Sequence, residues 1–138
     1  MASEALQRAV AAVDRELAGD LELTTMFDQT RQAVVLENGE FARVRDVLAA
    51  ELRPVDFAFV DGLYTEVPRV ESAMERRGPA HTLRDADRLI VEGWEGDARE
   101  AQRVLRAALL PPPTPAPAAG ASPGPLERFA AAVRRLFA

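Results

Sequence analysis

From Pro111 to Pro125 the chain reads PPPTPAPAAGASPGP, fifteen residues with no large apolar side chain. Proline fixes φ and lacks a backbone donor, so this tract can enter neither a helix interior nor the middle of a sheet. It also buries too little to offset the entropy of ordering it. The chain is thereby divided into a body (1–110), a flexible linker (111–125) and an end piece (126–138). Any packed core must come from the body, whose length suits one small domain.

Helical spacing dominates the body. Ser3 is a candidate N-cap for a helix carrying Leu6, Val10, Val13 and Leu17 on one stripe. Gly19 is expected to end that helix and Asp20 to begin the next. Leu23, Met26, Phe27 and Val34 then predict a second helix over 21–36, broken by Asn38-Gly39. Asn-Gly also favours a two-residue β-turn, so a hairpin over 33–44 is the alternative. Phe41, Val44, Leu48 and Leu52 recur at three- and four-residue steps, which favours a helix ended by Pro54.

The next stretch, VDFAFVDGLY, alternates as a strand near 55–60 would. It also starts a longer helical stripe through Phe59, Val60, Leu63, Tyr64, Val67, Val70 and Met74, and the longer pattern is preferred. Gly62 weakens that helix, and Pro68 is expected to kink it or to open a new one at the first turn. Gly78-Pro79 closes it. Thr82 with Asp85 approximates a capping box for a helix running to Gly93, and Asp97 with Glu100 approximates another. Trp94 falls between, in a turn, either plugging the end of the bundle or standing out as a contact anchor. The expected fold is all-α: five or six short helices, with an α+β arrangement as the alternative.

Composition removes several chemistries. All 17 basic residues are Arg, so lysine Schiff bases and lysine phosphate loops are excluded. There is no cysteine, which excludes thiol catalysis, disulfides and cysteine-bound metals. The net charge of −5 argues against nucleic acid as a partner. The many carboxylates show no metal-ligand spacing, so neither metal nor cofactor is expected. The opening MASEALQRAV lacks a signal-peptide pattern and no run approaches a membrane span, so a cytoplasmic location is expected.

His81, the only histidine, stands in PAHTLRDADRL. His-Thr-Leu-Arg resembles the phosphoacceptor motif of histidine phosphotransfer domains, which implies a phosphate carrier at His81. Asp85 stands where that family has glycine, and Gly78-Pro79 puts His81 near a helix start rather than in mid-helix. ENGEFARVRDVLAAELRP and WEGDAREAQRVLRAALLPP each look a little like a tetratricopeptide helix. Their glycines, Gly39 and Gly96, do not have that family's period. VDFAFVDG looks like the acidic strand end of S-adenosylmethionine-dependent methyltransferases, but no glycine-rich loop precedes it.

The end piece is the strongest functional signal. On a helix, Leu126, Phe129, Ala130, Val133, Leu136 and Phe137 fall within an arc of about 120°, with Arg134 and Arg135 outside it. Leu126, Phe129, Val133, Leu136 and Phe137 have the anchor spacing of a helix-in-groove ligand, and so short a helix is expected to fold on contact. It resembles the tethered peptides that recruit cargo to bacterial shells. It is also similar to C-terminal membrane-targeting helices of bacterial division proteins, although its charge of +2 makes lipid the weaker target. Folding back on its own bundle or oligomer is the third possibility. The sequence thus predicts a homo-oligomeric, non-enzymatic adaptor or assembly factor, with the end piece, its two arginines and Trp94 as binding residues.

Overall fold

The computed structural model describes residues 2–27, 34–77 and 83–111. His81, Thr82 and the end piece lie outside them, and the helix that Thr82 is expected to cap has Arg84 at its N-cap, with no side-chain cap bond. The described residues form five helices and no strand: α1 (Glu4–Met26), α2 (Gly39–Glu51), α3 (Pro54–Thr65), α4 (Val67–Glu75) and α5 (Asp85–Ala108). The body is all-α, and the hairpin and strand alternatives are not what forms.

Contacts give the topology. The Ser3 hydroxyl donates to Glu51, and Glu16 accepts from the Glu40 amide, so α1 and α2 run antiparallel. Arg45 meets Asp61 while Phe41 stacks on Tyr64, so α3 turns back along α2. Asp14 pairs with Arg106 and Thr24 with Glu95, which lays α5 antiparallel to α1.

These two long helices share a seam. Each buries a regular stripe, Leu6, Val10, Val13, Leu17, Asp20 and Thr24 on α1 and Asp87, Val91, Trp94, Ala98, Ala101 and Leu105 on α5, and the two helices lie against each other from Asp14–Arg106 to Thr24–Glu95. Both sets step by alternating fours and threes, the spacing of knobs-into-holes packing.

The seam corrects the expected boundaries. The helix forecast over 21–36 does not form: α1 runs through Gly19 and Asp20 to Met26, and residues 34–38 are non-helical. Likewise α5 passes through Gly93, Trp94 and Gly96 without a turn, so Asp97 lies in mid-helix and caps nothing. Long-range packing of the seam outweighs a glycine's cost of about 1 kcal/mol in each helix. The prolines behave as their missing N–H dictates. Pro54 opens α3 rather than directly ending α2, which stops at Glu51, and Pro68 stands in the first turn of α4.

Gly19 provides a check on the uninterrupted α1. A Cβ there meets nothing within 4 Å. Gly19→Ala is therefore expected to raise stability by about 0.5–1 kcal/mol, read from the urea unfolding midpoint. A glycine needed to end the helix would instead lose stability on this change.

Candidate functional site

Two features have the chemistry or shape of a site: a buried carboxylate cluster and an apolar groove on the opposite side of α3.

The cluster grows from residues 34–41. Val34 and Leu36 are buried while Val35 and Glu37 face solvent, a strand-like alternation. No strand pairs with it among the described residues, so its amides need other acceptors. Carboxylates supply them. Glu71 on α4 accepts from the Leu36 amide at 2.8 Å, and Asp20 Oδ1 accepts from Glu37 at 2.7 Å. Glu16 accepts from Glu40 at 2.8 Å and Phe41 at 3.2 Å. These are the N2 and N3 amides of α2, whose own N-cap residue, Asn38, makes no side-chain cap bond. A residue 24 positions upstream thus does the capping, with its charge at the favourable end of the helix dipole. Tyr64, stacked on Phe41 with ring centroids 4.2 Å apart, donates its hydroxyl to the same Glu16 at 2.9 Å.

Burial perturbs these groups. Tyr64 is pushed far above the ordinary phenol range, first by desolvation and then by the adjacent Glu16. Asp20 is 0% exposed, and desolvation raises its carboxyl from 3.8 to about 7 despite the Glu37 amide, with Glu16, Glu37 and Glu71 adding repulsion. Its Oδ2 has no hydrogen-bond partner among the described residues. Perturbed carboxylates can mark a reaction centre. Here, however, each of the three carboxylates holds backbone through at least one oxygen, Asp20 is sealed from solvent, and none of Glu16, Asp20, Tyr64 and Glu71 lines the groove described next. Among the described residues no group of acidic or histidine side chains is arranged to hold a metal.

The groove lies between α3, α4 and α5 and encloses about 750 Å³. One wall is Ala58, Phe59 and Gly62 of α3; the other is Ala86, Leu89, Ile90 and Gly93 of α5. Leu63, Val70 and Trp94 are its buried floor, and Glu66, Arg69 and Asp97 stand at the rim. Leu89 is 71% exposed, a large apolar side chain left on the surface at the groove's edge. Glu66 pairs with Arg69 at 3.4 Å, whereas Asp97 has no ion-pair partner among the described residues. Desolvation holds its carboxyl above its ordinary value.

Trp94 is the sequence-forecast site residue that this geometry places. It is 4% exposed, so it takes the core position rather than standing out from a turn, and its indole N–H donates to Leu63 O at 3.0 Å. Leu63 lies in the last turn of α3, where its carbonyl otherwise accepts a long 3.3 Å bond from the Glu66 amide and has room for the indole. Leu126, Phe129, Val133, Arg134, Arg135, Leu136 and Phe137, and His81, lie outside the described residues.

No protein-family model, curated protein or solved structure matches this chain.

Sequence reasoning missed both features. The groove had one legible trace: Leu89 and Ile90 give α5 more apolar surface than its seam, through Val91 and Trp94, requires. The cluster had another, since extending the α1 stripe from Leu17 by three and then four lands on Asp20 and Thr24, polar residues in buried register.

Proposed function

We propose that this chain is a non-enzymatic protein–protein interaction module working by helix-in-groove recognition, an adaptor or assembly factor. The observation that carries the reading is the α3–α4–α5 groove: an apolar floor, small residues on both walls, an exposed leucine at its edge and charges at its rim. That anatomy suits the apolar face of an amphipathic helix. The end piece, with Phe129, Val133, Leu136 and Phe137 at i, i+4, i+7 and i+8, is a ligand of the same kind.

Three forms of the full chain test it by affinity capture and cellular position: the parent, Leu89→Arg, and Phe129→Ser with Phe137→Ser. Leu89 is exposed, so its replacement leaves the fold intact. Each variant is expected to weaken at least one specific interaction by about tenfold or more, the scale of a lost anchor. Survival of every interaction and of the cellular position in both variants would reject the module.

A further inference from the structure

We propose that the groove between α3, α4 and α5 is the docking site of this chain's own residues 126–138, held in cis by the linker. The proposal rests on the helix-in-groove reading and names the occupant.

Length comes first. The linker leaves the body at Pro111, just past the end of α5, and the groove wall on α5 is centred near Gly93. Fifteen residues of α5 separate Ala108 from Gly93, about 22 Å at 1.5 Å per residue. Fifteen linker residues span about 21 Å as a flexible coil and about 46 Å in extended polyproline form. The span therefore falls where a tether gives its highest effective concentration, about 1 mM. A thirteen-residue helix is about 20 Å long, and the wall from Ala86 to Asp97 is about 17 Å.

Charge is the second support. The end piece holds three of the 17 arginines and one of the 22 acids, leaving 21 acids against 14 arginines on the rest of the chain. Asp97, without an ion-pair partner among the described residues, stands at the rim, an acceptor for an arginine of the docked end piece. The walls are the third. A Cβ at Gly62 or Gly93 meets nothing within 4 Å, so the body itself has no packing need for glycine at either place. Each costs its helix about 1 kcal/mol relative to alanine. Their bareness lets another helix approach closely.

The single tryptophan provides the readout. Trp94 lies in the groove floor, so its one indole N–H resonance responds to aromatic rings laid over it. In the full chain, Phe129→Ser with Phe137→Ser is expected to shift that resonance together with the Leu89, Ile90 and Gly93 amides. A free 126–138 peptide titrated onto this variant should restore the parent positions. Against the parent, the same peptide should bind more weakly by about tenfold or more, because a tethered copy at an effective concentration of about 1 mM competes for the groove. Gly93→Ala in the double-serine background should weaken the peptide while preserving the helical spectrum.

An unchanged indole resonance in the double-serine variant overturns cis docking. If the peptide still binds that variant at the groove, the helix-in-groove reading survives the loss; if it does not, both fall. Shifts that vanish on dilution of the parent assign the tail to a second copy and overturn the proposal. So does binding of the parent to phosphatidylserine vesicles as tightly as the free peptide binds them.

Discussion

Glu16→Ala should lower stability by about 2–4 kcal/mol, a large loss for a single polar side chain. One carboxylate accepts from the Glu40 amide, the Phe41 amide and the Tyr64 hydroxyl, and so joins α1, α2 and α3 at one point. Its removal leaves the N-terminus of α2 uncapped, worth about 1 kcal/mol by itself, and strands a buried phenol donor at about 1–3 kcal/mol. The side chain is 8% exposed, so water cannot readily take its place. Set against a total stability of about 5–15 kcal/mol, such a loss should move the thermal midpoint down by about 10 °C or more. Tyr64→Phe, which removes one donor and leaves the carboxylate its two amides, should cost only about 1 kcal/mol. Circular dichroism melts of both variants beside an exposed control, Glu4→Ala, decide it. A Glu16→Ala melt indistinguishable from the control would show that the clasp contributes nothing.

The same residues explain how far the fold was legible beforehand. Helical periodicity identified α2, and the longer apolar stripe through 59–74 correctly outweighed the strand-like alternation of VDFAF. Punctuation is where local signals misled. Gly19-Asp20 reads as one helix ending and another starting, because Asp20 is polar and glycine is the commonest helix stop. In the folded chain Asp20 is a core residue, and its reason for being there, the Glu37 amide, lies 17 residues away. Gly93 and Gly96 misled in the same way around Trp94. Val34 and Leu36 alternate in burial with Val35 and Glu37, a pattern the run Val-Val-Leu does not show in sequence, and carboxylates stand in for a partner strand there. As for the candidate site, no local pattern marks a groove made by pairing α3 with α5. The bare wall glycines gain meaning only once those helices lie side by side.

Asp20→Asn should reverse its effect on stability between acid and neutral pH. The carboxyl titrates at about 7 in the folded chain and near its ordinary 3.8 when unfolded. Between those values the folded state holds a proton that the unfolded state has released, so stability falls as pH rises through this window, and the loss is complete above about pH 7. Roughly three units correspond to about 4 kcal/mol at most. The charged groups facing Asp20 among the described residues are Glu16 on its own helix, Glu37 on the connector and Glu71 on α4, all acidic and all disfavouring its ionisation. Asparagine keeps an oxygen for the Glu37 amide, stays neutral at every pH, and places donors where Oδ2 now has no partner among the described residues. At pH 8 the variant should therefore be the more stable by a few kcal/mol, while at pH 4 the two should be nearly equal or the parent ahead. Urea unfolding of both proteins across pH 4–8 measures the difference, in which the titration of every other carboxylate cancels to first order. Parallel stability curves would mean that Asp20 is ionised throughout, with a cation or water reaching Oδ2. A converging pair would establish that α1 carries a neutral acid in its core, and that the connector leading into α2 is held most firmly below neutral pH.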